Sequence, residues 1–264
     1  MTFAADASLA DTIRQAESGG ARVGLVLSLD GNVLYSHRGD ERFVSASVVK
    51  IAIMLEIFRA VEAGRLDLDQ PVTVTADQMA KGSGVMHWLA PGYTLRLRDL
   101  LYLMMAISDN TATNLLIEMA GIAAVNATMQ RLGMAGSVLG RKMYGRLALE
   151  GEVENMATAA DYDRLLWAIV SGRAASGPSC AAMLELLRGQ QNDRRLARFL
   201  PAGSDWGSKT GTLAGVANDA GFLRGPAGTA CLSMFTAGFP MTVDAEAALG
   251  AMARAAFRQA GVLG

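Results

Sequence analysis

The chain of 264 residues is 51% hydrophobic and 19% charged, a globular composition with enough apolar surface for one large domain or two small ones. Its formal net charge is −1 with no basic stripe, so nucleic-acid binding has no electrostatic footing. Two histidines, His37 and His87, and two cysteines, Cys180 and Cys231, build neither a zinc pattern nor a disulfide framework. Both thiols are expected to be buried and free, and no metal or cofactor is expected. No apolar run approaches the roughly 18 residues of a membrane span. The N-terminus, MTFAADASLADTIRQ, has neither the basic start nor the apolar run of a signal peptide. The expectation is a monomer, cytoplasmic if Met1 is native and periplasmic or secreted if the chain is a mature form.

In chain order, DASLADTIRQAESGG reads as a helix ending at Gly19-Gly20. ARVGLVLSLDGNVLYSH reads as a hairpin about Asp30-Gly31, because Asp-Gly is a strong two-residue turn signal. From about residue 47 to 195 the apolar spacing is mostly helical, with runs closing at Gly64 and Gly121. After residue 204 three β-rich stretches follow, SDWGSKTGT, VANDAGFLRG and TACLSMFTAGF, and then a last helix, DAEAALGAMARAAFRQAG. This predicts a mixed α/β fold, an antiparallel sheet completed by both ends of the chain plus an all-helical lobe. Residues 1–46 and 198–264 would form the sheet part and 47–197 the helical part, with the site in the cleft between them.

Three short motifs carry chemistry. Ser47 and Lys50 lie three apart at a helix start, so both side chains share one face. Burial would lower the lysine's pKa and leave neutral amine to act as a base on the serine. No G-x-S-x-G elbow is present, so a base other than histidine fits. Ser108-Asp109-Asn110 falls between two helical runs, and Lys209-Thr210-Gly211 on a strand. Each motif alone also reads as ordinary structure: a capped helix with a snorkelling lysine, a polar turn, a strand end. In this order, and each on its expected element, they form a Ser-Lys acyl-transfer set.

Over nearly its whole length the chain resembles class A β-lactamases and their relatives among the penicillin-recognising serine hydrolases. GRLDLDQPVTVT and LRLRDLLYLMMAISDNTATNLLI share that likeness. The resemblance implies an antiparallel five-stranded sheet flanked by helices, a small-molecule β-lactam or acyl amide or ester substrate, and an acyl-enzyme at Ser47. It makes Lys50 the base candidate, Ser108 the proton relay, and Lys209 with Thr210 and Gly211 the substrate-carboxylate strand. Asn110 would bind the substrate amide, Asp109 would brace the loop, and the Ser47 and Thr212 N–H groups would form the oxyanion hole.

Two departures matter. The family places a Glu in an R-x-E-x-x-L-N loop to hydrolyse the acyl-enzyme. Aligning Arg141 puts Met143 there, and only a slide of the loop would bring in Glu150 or Glu152, with Glu154 beyond. The family's arginine beside the KTG strand is replaced by Ala217, leaving Arg224 as the candidate. Acylation is therefore expected, with weak β-lactam hydrolysis. The alternatives are a cytoplasmic esterase or peptidase acting on a metabolite, or a β-lactam-binding protein that acylates without turnover. In AKGSGVMHWLAPG, Trp88 is expected to pack rather than to line the cleft.

Overall fold

The computed structural model describes residues 2–264; Met1, on which the localisation expectation turns, lies outside them. Helix α1 (Leu9–Ser18) starts where the Ser8 side chain accepts from Asp11 N and ends at Gly19. Strands β1 (Arg22–Leu29) and β2 (Asn32–His37) meet at Asp30 and Gly31, with φ of 48° and 81°. Two successive positive φ values are what a type I′ hairpin turn demands. After β3 (Phe43–Val44) a tight turn at Ala46–Val49 leads into α2 (Lys50–Glu62). The middle of the chain runs β4 (Pro71–Thr73), β5 (Thr94–Arg96), α3 (Leu97–Ala106), α4 (Asn110–Ala120), α5 (Ile122–Arg131), β6 (Met156–Ala157), α6 (Ala159–Val170) and α7 (Gly177–Arg188). Strands β7 (Asp205–Leu213), β8 (Val216–Gly225) and β9 (Gly228–Ala237) precede α8 (Thr242–Gln259).

The main sheet is antiparallel throughout, in the order β2-β1-β9-β8-β7. The two chain ends meet where β1 pairs with β9, so β7 is left at the edge facing the helices. One sheet face buries Val23, Leu25, Leu27, Leu223 and Leu232 with Leu9 and Ile13 of α1 and Leu249, Met252 and Phe257 of α8. The other face gives Val26, Phe222 and Phe235 to a larger core with α2, α3, α4, α6 and α7. In α2 the run from Lys50 to Phe58 is buried all round, as expected of a helix enclosed by neighbours.

Two short ladders, β3 with β6 and β4 with β5, stand apart from the main sheet. They escape a sequence reading because two or three residues are too few to display alternation. Cys180 and Cys231 are buried and free. Trp88 is not packed: it is 80% exposed, its ring tilted against His87 at 4.7 Å. A short turn at Met86–Trp88 points Met86, not Trp88, into the core. No helix among the described residues is long and apolar enough to cross a membrane.

Candidate active site

Ser47 is half-buried in the turn that feeds α2. Ala46 before it has φ of 44°, a left-handed value that costs a non-glycine residue of order 1 kcal/mol. Its surroundings hold it there. Ser45 N donates to Asn155 O at 2.8 Å, and Asn218 Nδ2 on β8 donates to Val44 O at 2.9 Å and Ser45 O at 3.1 Å. On β7, Gly211 presses against this turn. A Cβ at that position would lie 2.9 Å from Ser45 O and 3.0 Å from Ser47 N, so the close approach requires glycine.

Lys50, the first residue of α2, is fully buried. Its Nζ donates to Ser108 O at 2.8 Å, Ser108 Oγ at 3.0 Å and Asn110 Oδ1 at 3.1 Å. Like Ala46, Ser108 is a non-glycine site residue in the left-handed region, with φ of 61°. Asp109 braces the loop. One carboxylate oxygen caps α4 at Ala112 N and the other accepts from Val85 N at 2.7 Å and Met86 N at 2.9 Å. Asn110 Nδ2 donates to Lys81 O at 3.0 Å.

Lys209 is also fully buried and donates to Thr210 O at 3.0 Å. Burial holds its pKa down at about 7; Asp219 opposes that shift and Arg195 adds to it. Burial likewise drives the Lys50 ammonium well below the ordinary lysine range, helped by the charge of Lys209 and opposed by Asp109. In both cases desolvation disfavours the charged form.

Two clefts share Ser47, Ser83 and Thr212. The first, of about 350 Å³, runs from Ala46 and Asn110 past Met143–Arg146 to Leu213. The second, of about 270 Å³, is lined by Ser108, Gln190, Gln191, Asn192 and Thr210. The eight sequence-predicted site residues thus come from the start of α2 and the turn before it, the start of α4 and the turn before it, and β7.

The loop from Arg141 to Asn155 walls the first cleft. Met143 N donates to Asn114 Oδ1 at 2.7 Å and Asn114 Nδ2 returns a bond to Met143 O at 3.0 Å, fixing the Met143 backbone beside α4. Arg141 closes the loop on Glu154, with both carboxylate oxygens 3.0 Å from one guanidinium nitrogen. Glu154 also accepts from Ala148 N and Asn155 N, and among the described residues it is the only carboxylate lining either cleft. Glu150 and Glu152 are exposed and line neither cleft, and Glu152 is bound to Arg146.

Arg224 lies away from the KTG motif. It is opposite Asp205 in the β7–β8 ladder, with a 3.4 Å contact to that carboxylate. The guanidinium beside the motif belongs to Arg195, 1% exposed, which donates to Gly211 O and Asn218 O at 2.8 Å and to Thr212 Oγ1 at 2.6 Å. Sequence reasoning missed Arg195 because it sits in the polar connection GQQNDRRLARFL, where no periodicity separates one arginine from the next. Asn114 was missed for a similar reason: on a helix it looks like any polar residue.

The five-stranded sheet, the helical region and the joined Ser-Lys, SDN and KTG motifs define a protein of the class A β-lactamase and transpeptidase fold. The family model described as the β-lactamase enzyme family matches residues 5–260, and the chain belongs to that family. Among solved structures it is similar to a β-lactamase from Sphaerobacter thermophilus, 46% identical with a TM-score of 0.95, covering 97% of this chain and 98% of that one. It is also similar to PBP-A, 25% identical with a TM-score of 0.83, covering 98% and 99%. The β-lactamase BRO-1 of Moraxella catarrhalis is 25% identical over 73% of this chain, and the match spans 62% of that relative's length.

Proposed function

We propose that this chain is a serine acyl-hydrolase that opens β-lactams, or related amides and esters, through an acyl-enzyme at Ser47, and that it releases the acyl group slowly. The observation that carries the reading is Lys50: fully buried, its Nζ within 3.1 Å of both Ser108 and Asn110. A neutral amine there takes the Ser47 Oγ proton as Oγ bonds to the substrate carbonyl carbon. The resulting oxyanion is held by the Ser47 and Thr212 N–H groups. Ser108 Oγ passes the proton on to the leaving nitrogen as its bond to carbon breaks. Asn110 has one N–H and one lone pair left for a substrate amide after its bonds to Lys81 O and Lys50. Lys209, Thr210 and Gly211 form the strand against which a substrate carboxylate lies. In this reading residues 47–197 supply the nucleophile and relay, and the sheet part, 1–46 and 198–264, supplies the binding strand.

Slow release follows from Met143. A thioether accepts no proton, and the one carboxylate in the clefts is committed to Arg141. A substituted form of PBP-A is known as an acyl-enzyme complex with penicillin-G, which supports acylation as the shared step. The reading is tested by intact-protein mass spectrometry after incubation with a β-lactam. Ser47→Ala is expected to form no adduct, and Lys50→Ala to acylate at least about 10²-fold more slowly while keeping a cooperative melt. Labelling that survives Ser47→Ala overturns the mechanism.

A further inference from the structure

The first turn of α4 grips both loops that wall the first cleft. Asn110 Nδ2 donates to Lys81 O at 3.0 Å, Asn110 N donates to Ser83 O at 3.0 Å, and Ala80 N donates to Thr111 Oγ1 at 2.9 Å. One turn further along, Asn114 exchanges two hydrogen bonds with the Met143 backbone. Residues four apart on a helix share a face, so segment 80–83 and the loop from Arg141 to Asn155 are laid side by side.

The two loops touch through a pair of glycines. Gly82 and Gly145 both lie in the left-handed region, with φ of 105° and 69°. A Cβ at Gly145 would lie 3.2 Å from Gly82 Cα and 3.2 Å from Lys81 O. One at Gly82 would lie 3.2 Å from Gly145 Cα and 2.6 Å from Asn110 Nδ2. The Lys81–Gly82 peptide is therefore packed between the Gly145 backbone and the Asn110 amide, and neither contact admits a Cβ without displacement.

Lys81 O, which Gly145 abuts, is the same oxygen that orients the Asn110 amide. Asn110 Oδ1 in turn accepts from Lys50 Nζ at 3.1 Å. A run of direct contacts thus leads from Gly145 through Lys81 O and Asn110 to the base. A turn that needs a left-handed φ explains a glycine at either position. It does not explain why glycines from two separate loops meet at the carbonyl that holds the site's amide.

We propose that Gly145 is a positioning residue for acylation: it backs the Lys81 carbonyl and, through that carbonyl, aims the Asn110 amide at the acyl amide of the substrate. The inference deepens the acyl-hydrolase reading above and rests on it. The loop whose Met143 makes release slow thereby also serves the step before release. A methyl group at position 145 would push the Lys81–Gly82 peptide by a few tenths of an ångström toward Asn110, enough to spoil hydrogen bonds whose strength depends on length and angle.

The test is a double-substitution cycle on acylation by penicillin-G, followed by intact mass, with melting temperatures measured alongside. Its members are the unsubstituted chain, Gly145→Ala, Asn110→Ala and the two together. Gly145→Ala is expected to slow acylation about tenfold while Asn110 is present, and by less than about twofold once Asn110→Ala has removed the amide. An equal cost in both backgrounds, as from general loosening of the loop or from a direct effect of Tyr144 or Arg146 on substrate, overturns the proposal. So does full acylation by Gly145→Ala. Asparagine tolerates a left-handed φ, so Gly145→Asn brings in the same Cβ should Gly145→Ala fail to fold, and it is read by the same two outcomes. Failure of both to fold would make the contact one of folding and also overturn the proposal. Absence of any Ser47 adduct in the unsubstituted chain would instead count against the acyl-hydrolase reading itself.

Discussion

At Gly211 a single missing carbon sets how closely two parts of the site approach. The Cβ of an alanine would sit 2.9 Å from Ser45 O and 3.0 Å from Ser47 N, so Gly211→Ala must push β7 away from the nucleophile turn. A displacement of this kind typically costs about 10²-fold when it reaches the reacting atoms. The expected outcome is a loss of acylation rate of roughly that size, measured by stopped-flow absorbance, with the melting temperature lowered by only a few degrees. The glycine was legible as part of a motif, but its reason was not, because the partner atoms lie more than 160 residues away. The same holds for the left-handed backbone at Ala46 and Ser108: neither residue type announces a positive φ, and only the packing around them does.

At the scale of the element, the loop from Arg141 to Asn155 separates what a motif can tell from what it cannot. Counting from Arg141 places Met143 at the position of interest, and the paired Asn114–Met143 bonds fix that residue against α4. A slid loop offering Glu150 or Glu152 does not match the observed geometry, in which both are exposed, Glu152 is paired with Arg146, and the loop is closed by the Arg141–Glu154 pair. Glu150→Gln and Glu152→Gln should therefore leave steady-state β-lactam hydrolysis within about twofold of the unsubstituted chain. Met143→Glu should raise it, because a carboxylate there can orient and deprotonate water. Spectrophotometric turnover checks all three, and a collapse on replacing either tip glutamate would show that the water-activating group had been misassigned. Arg195 and the short ladders were not legible, since their roles depend on neighbours distant in sequence.

For the whole molecule, the alternation of β texture at both ends with helical spacing between them was enough to predict the sheet and its closure by distant segments. It could not show where a charge would be buried. Asp163 of α6 accepts from Ser28 Oγ on β1 at 2.6 Å inside the larger core, and burial raises its pKa to about 6, with Ser28 and Arg164 opposing. Between the ordinary carboxylate value of 3.8 and about 6 the native state binds more protons than the unfolded chain. Stability contributed by this group is thus present at low pH and lost as pH rises through that window, by about 1–3 kcal/mol. Asp163→Asn should raise the melting temperature at pH 7.5 by roughly 2–8 °C and change it little at pH 4, measured by calorimetry; an equal change at both pH values would remove the carboxylate from the explanation. The central claim is that this fold acylates at Ser47 and lacks a free carboxylate to resolve the product. Its most direct test is a time course of intact mass and absorbance after mixing the protein with excess chromogenic β-lactam. The account predicts a burst of about one equivalent, an adduct on Ser47 that persists, and slow release thereafter; rapid linear turnover with no accumulated adduct would contradict it.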